Sequence, residues 1–233
     1  MTDVIVNEQL LLFGNVDVPM SNENTLKLLQ VFGVKGYIPN VVQEVNMLDG
    51  RSTNRMSLTD GKTLSVNFNT NQIIMACNYN PQFPETRDFL QLAQELVEGL
   101  IPLFDLRVAR CVLVKEKMMG DDNPDKIRAA RLQLMVEDGA PEPIEWLLRR
   151  SIIDENGGET LLKLTEISRA QGFIHEDGNA TAFDKVRFKS EVGTDLRNTV
   201  NRYTLGDILP LLQKFRDIQT DVFNSWERQY REA

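Results

Sequence analysis

The chain predicts an α+β fold, a mostly antiparallel sheet of meander hairpins covered by two long amphipathic helices, and three observations predict it. Residues 54–80, NRMSLTDGKTLSVNFNTNQIIMACNYN, break at Asp60-Gly61 and again at Asn69-Thr70-Asn71, where positive φ or polar turn chemistry is cheap. Between the breaks Leu64, Val66 and Phe68 fall on one side and Thr63, Ser65, Asn67 and Asn69 on the other, so the strand has one buried and one solvated face. Second, the stretches after Pro84 and after Asp207 carry apolar residues at three- and four-residue spacing, which makes helical stripes. Third, RVARCVLVKEK (107–117) is apolar on both faces in its middle, the pattern of a central strand.

Taken in order, residues 9–16 read as a first strand partly covered on both faces. Ser21 is the expected N-cap of a short helix with Leu26, Leu29 and Phe32 on its apolar side, closed by Gly33 in the left-handed conformation. A strand from Tyr37 to Met47 follows, with Tyr37, Val41, Val45 and Met47 on one face; Pro39 has no amide donor, which sends it to a sheet edge. After the meander, a helix entered at Pro84 and ended near Pro102 presents Phe89, Leu92, Leu96 and Leu100, with Ala93 and Val97 beside them. Beyond the central strand, Met118 to Asp125 reads as a loop, and 131–136 fits strand or helix equally. Pro143 to Ile152 reads as helix, Asn156-Gly157-Gly158 as a break, Leu161 to Arg169 as strand, and Asp177-Gly178 as a hairpin turn. Val186, Phe188 and Val192 alternate against Lys185, Arg187, Lys189 and Glu191 as another half-solvated strand. Leu211, Phe215, Ile218, Val222 and Trp226 stripe the last helix, with Asp207 as its expected cap.

The halves 1–104 and 105–233 show a similar element order, which suggests a βαββα-type internal repeat within one compact domain. Two sheet-and-helix layers and one continuous sheet with both long helices on one face are both open at this point.

Composition narrows the function classes. With 42% apolar and 26% charged residues in 233, the chain is ordinary globular material. Its 34 acidic against 26 basic side chains give a formal charge of −8, which opposes general attraction to phosphate backbones. Cys77 and Cys111 each lie in an apolar strand-like run, the setting of buried thiols in a reducing compartment. The opening MTDVIVNEQLLLFG lacks a basic n-region and a small-residue cleavage site, and no apolar run approaches the ~20 residues of a membrane helix, so a cytoplasmic location is expected.

The run RMSLTDGKTLSVNFNTNQIIMACNYNPQFPETRDFLQLAQELV, the strand RVARCVLV and a closing helix after a strand resemble a sporadically distributed, uncharacterised prokaryotic α+β family of about this length. The resemblance covers most of the chain but consists of element order and polarity, so it implies the architecture and carries over no site residue. Patchy distribution implies an association with host-defence or mobile-element systems.

Chemistry-bearing residues are sparse. His175 sits in a polar turn, and one histidine with two separated cysteines cannot assemble a structural zinc set. Asp121-Asp122 and Asp154-Glu155 are acidic pairs among loop residues, and no phosphate loop, dinucleotide fingerprint, zinc-protease or nucleophile-elbow motif is present. No catalytic, cofactor or metal residue is therefore assigned. Two surfaces are left. Thr63, Ser65, Asn67 and Asn69 form a neutral sheet face suited to contact with another protein or a second copy. Lys185, Arg187 and Lys189 form a basic row, with Arg149-Arg150 elsewhere, and would serve a nucleic acid or acidic partner. A non-catalytic interaction or regulatory module acting through a sheet face or edge stands first; a nucleic-acid-associated protein using the basic row and an enzyme with a scattered site are the alternatives.

Overall fold

The computed structural model describes residues 4–45, 47, 50–79, 88–119, 125, 127–129, 131, 145–156, 158–176 and 179–232. They form a nine-stranded antiparallel sheet with helices packed on it. In chain order the elements are β1 (Val4–Asn15), α1 (Asn22–Phe32), β2 (Ile38–Val45), β3 (Ser52–Thr59), β4 (Leu64–Asn69), β5 (Gln72–Asn78), α2 (Phe89–Phe104), β6 (Arg107–Met119), β7 (Leu147–Asn156), β8 (Glu159–Glu176), β9 (Asn179–Thr194) and α3 (Leu205–Glu232). The strand order is β2-β3-β4-β5-β1-β6-β9-β8-β7. β1 and β6 thus meet at the centre, and from each the neighbouring strands run outward in the reverse of their chain order.

The sheet is continuous, and both long helices lie on one face. Leu10 and Leu12 of β1, Leu64, Val66 and Phe68 of β4, and Ile73, Met75 and Cys77 of β5 meet Phe89, Ala93, Leu96, Val97 and Leu100 of α2 in the main core, joined by Ile208, Leu212 and Phe215 of α3. A second cluster sits under the far end of α3, where Phe188 packs against Trp226 and Tyr230. Asp60 closes the β3–β4 turn by accepting from the N–H groups of Lys62, Thr63 and Leu64, with Gly61 at φ +71°. Cys77 and Cys111 are buried and unlinked.

Several expectations need correction. Residues 147–156 are strand β7 at the sheet edge, not helix; the helical spacing in WLLRRSII coincides with an alternation that puts Leu148, Arg150 and Ile152 on one side and Leu147, Arg149, Ser151 and Ile153 on the other. Gly33 stays right-handed at φ −60°, the chain continues through a 3-10 turn, and Gly36 takes the left-handed position at φ +84°. α1 buries Leu28 and Phe32, an i, i+4 pair, and leaves Leu26 58% exposed. β2 is an edge strand, and its Val41 is 49% exposed at that edge. α2 is capped by Asp88, whose carboxylate accepts from Leu90 N and Gln91 N, and Pro102 lies inside its last turn. α3 turns Leu212, Gln219 and Phe223 inward beside Phe215, about one residue round from the expected stripe. Its cap is Thr204, to which Asp207 reaches back, accepting from the Thr204 N–H and hydroxyl. Residues 127–129 are helical; Pro84, Asp121-Asp122, residues 132–136, Gly157 and Asp177-Gly178 lie outside the described residues.

Candidate interaction face

The register defines the face opposite the helices. Gln9, Leu11 and Phe13 of β1 stand opposite Ala76, Ile74 and Gln72 of β5 on one flank and Val114, Val112 and Arg110 of β6 on the other. Their chain neighbours Leu10, Leu12, Cys111 and Leu113 fill the core, so period-two geometry turns this set away from it. The two central strands are therefore apolar on both faces. Leu11, Phe13, Ile74 and Val112 are only half-buried, and among the described residues no helix covers them.

The neutral wing extends from this stripe across β5, β4 and β3. Ser65 stands between Thr59 and Ala76, Asn67 between Ser57 and Ile74, and Asn69 opposite Gln72. Thr63 lies just before β4, buried, with its carbonyl accepting from Asn78 N at 3.0 Å. The four residues predicted for a neutral surface thus adjoin one another, with buried Ser57 and half-buried Thr59 beside them. At its rim Arg55 donates to Glu44 at 2.8 Å and to Asp17 at 2.9 Å, and the bond from Arg55 holds the Glu44 carboxyl below the usual carboxylate range.

The other wing carries the predicted basic row, and acids from neighbouring strands match it. Arg187 pairs with Glu166 at 2.6 Å and donates to Ser168; Lys189 pairs with Glu191 at 2.6 Å and lies 3.9 Å from Glu116. Lys185 is buried at the same level. The alternation within β9 displayed the bases, whereas Glu166 of β8 and Glu116 of β6 arrive only through strand order. Arg149 and Arg150 face opposite sides of β7: Arg149 stands opposite Glu166 on the face of the row, and Arg150 points to the helix side.

At one end of the central stripe is a cavity of about 520 Å³. Arg110, Phe13, Gly14, Asn71, Asn198 and Asn201 line it. The Arg110 guanidinium lies 4.0 Å above the Phe13 ring, a cation–π distance. Of these residues the sequence singled out only Asn71, as a turn residue, and those of β1 and β6 by their two-faced pattern.

On the helix side a buried ionic cluster joins distant segments. Glu8, 3% exposed, accepts from Arg216 at 2.7 Å and from the Tyr79 hydroxyl at 2.5 Å, and Lys115 stands 3.4 Å away. Arg216 also grips both oxygens of Asp88 at 3.0 and 2.9 Å. Burial pulls the Lys115 pKa down although Glu8 opposes it; burial and the bond to Glu8 push the Tyr79 phenol up. These groups interlock β1, β5, β6, α2 and α3.

The backbone of His175 pairs with Ala180 in the β8–β9 hairpin, and its side chain lies outside the described residues. Asp154 is paired with Lys163. Among the described residues no group of three His, Cys, Asp or Glu side chains is placed to hold a metal ion, and no helix is long and apolar enough to cross a membrane. No family model matches the chain, and no curated protein is similar to it.

Proposed function

We propose that the chain is a cytoplasmic interaction module that binds another protein through the uncovered sheet face. One observation carries this reading: β1 and β6 are apolar on both faces, a composition expected of strands covered twice, yet among the described residues the helices cover them once. A contiguous apolar stripe rimmed by hydroxyls and amides has the layout of a protein contact, an apolar centre within a polar border. The charge pairs of Arg187 and Lys189 support this over nucleic-acid binding, which draws its affinity from cations free to displace counterions.

The test is Ser65→Lys with Asn67→Lys. Ser65 and Asn67 are half-buried on this face, and a lysine there can carry its charged head out to water, so unfolding should change little. Association should be lost, because two new charges would have to be desolvated in the contact. Sedimentation and co-purification from native extract are compared for both proteins. A double variant that keeps every association of the parent removes the face from consideration. Salt-sensitive nucleic-acid binding abolished by changing Lys185, Arg187 and Lys189 to Gln would favour the other surface.

A further inference from the structure

Arg110 differs from Arg55 and Arg187 of the same face. Arg55 and Arg187 each hold a carboxylate, whereas no carboxylate among the described residues pairs with Arg110. Its Nη1 donates to the Leu196 carbonyl at 3.0 Å, which together with the Phe13 ring fixes the plane of the group. Its Nε is buried without a partner, and burial alone lowers its pKa. A half-buried, immobilised cation with no carboxylate beside it is costly, and an anion in the adjoining cavity would offset that cost.

The cavity wall is a rigid frame. Asn198 is locked by donating both amide hydrogens to the Ala109 and Val200 carbonyls and accepting from Val200 N, so it holds the wall without offering a free donor. Asn201 accepts from Asn15 N at 3.3 Å through its oxygen, which leaves its NH₂ group uncommitted. Gly14, at φ +139°, keeps the floor open: a Cβ there would meet the Arg107 carbonyl at 2.5 Å and the Asn201 oxygen at 2.6 Å. One guanidinium with neutral amide donors suits a single planar anion, which it can bind through two parallel bonds. A polyanion would call for more cations than the site offers, on a chain whose formal charge is −8.

We infer that the cavity beside Arg110 is a carboxylate-binding site, receiving either the C-terminal carboxylate or an acidic side chain of the protein bound on the sheet face. The inference rests on the reading of that face as a protein contact and specifies its anchor. It explains why the apolar stripe ends in a cation: the stripe supplies area, and the half-buried charge fixes register.

The experiment titrates the full chain with N-acetylglycine, which presents a terminal carboxylate, with N-acetylglutamic acid α-amide, which presents a side-chain carboxylate, and with inorganic phosphate. NMR follows the Arg110 Nε–H and the side-chain amides of Asn71 and Asn201. Saturable shifts are expected with at least one carboxylate, and the tighter of the two identifies the source. Arg110→Gln should weaken that binding by about ten-fold or more, since the charge-assisted pair is removed. Should Arg110→Gln fail to fold, Asn201→Asp keeps the acceptor for Asn15 N and places a negative charge in the cavity, with the same loss expected. Absence of saturation, tighter binding of phosphate than of either carboxylate, or shifts unchanged in the folded variants would overturn the inference. The Ser65→Lys, Asn67→Lys protein should bind the probes as the parent does, so failure of the face and failure of the cavity are read separately.

Discussion

Glu8→Gln is the sharpest test of how the two halves of the sheet are held together. The glutamate is 3% exposed and receives a charged bond from Arg216 at 2.7 Å, a phenolic bond from Tyr79 at 2.5 Å and the attraction of Lys115 at 3.4 Å. The amide has nearly the same shape but no charge, and its NH₂ must face at least one of the donors that the carboxylate accepted. Arg216 keeps Asp88, whereas Lys115 keeps no acid within ion-pair distance among the described residues. Breaking a buried pair by removing one partner costs about 3 to 5 kcal/mol. Retained compensation at Arg216 favours the lower end, about 3 kcal/mol. Urea unfolding should show a lowered midpoint at constant slope, the sign of lost stability with the same surface exposed on unfolding. A second protein with Glu8→Leu and Lys115→Met should recover part of the loss, because a well-packed apolar pair can replace a buried ionic one. A loss below about 1 kcal/mol for Glu8→Gln would mean that water already screens the cluster and that it does not bind the helices to the central strands.

Three further outcomes follow from the geometry. Phe215→Ala removes a fully buried ring shared by the sheet and α3, and should cost about 3 to 5 kcal/mol in urea unfolding; a loss near zero would place the ring outside the core. Gly14→Ala combines a left-handed φ of +139° with a contact at 2.5 Å to a backbone oxygen, so it should destabilise by about 2 kcal/mol or more. An unaltered urea midpoint would show that the bulge between β1 and β6 yields easily. Asp184 is held below the usual carboxylate range, chiefly by the bond from Arg169. Its folded pKa lies under the unfolded value of about 3.9, so its contribution is complete above that pH and fades as pH falls through the lowered pKa. The stability gap between the parent and Asp184→Asn should therefore close on acidification; a gap independent of pH would refute the assignment.

The sheet was legible wherever alternation and turn chemistry agreed. Leu64, Val66 and Phe68 against Ser65, Asn67 and Asn69 predict a face correctly because the two turns fix their register and the pleat fixes their direction. β7 was not legible, since Leu147, Leu148, Ile152 and Ile153 satisfy a helical spacing as well as a two-sided edge strand, and position in the sheet decides between them. The pairing of the basic row was hidden for a related reason: Lys189 is read from β9 alone, but its neighbours Glu116 and Glu166 enter from other strands. Glu8, Tyr79, Asp88, Lys115 and Arg216 look like scattered surface charges and a strand-end tyrosine until the topology gathers them. The cavity is hidden in the same way, because Phe13 and Arg110 become partners only through the antiparallel pairing of β1 with β6.

That pairing also sets a timetable for synthesis. β1 is made first, yet its partners are residues 72–78 on one side and 107–118 on the other, so its two-faced apolar strand waits through nearly half the chain. The β2–β5 meander closes through neighbouring hairpins and can assemble early, since short loops are quick to close. It then offers the edge of β5 to the waiting strand. The joined sheet ends on β1 until residues 107–118 arrive, exposing an edge apolar above and below of the kind that captures other nascent chains. Slowing translation after β5 should thus raise aggregation, and hastening delivery of β6 should lower it, with no change in the stability of the finished protein.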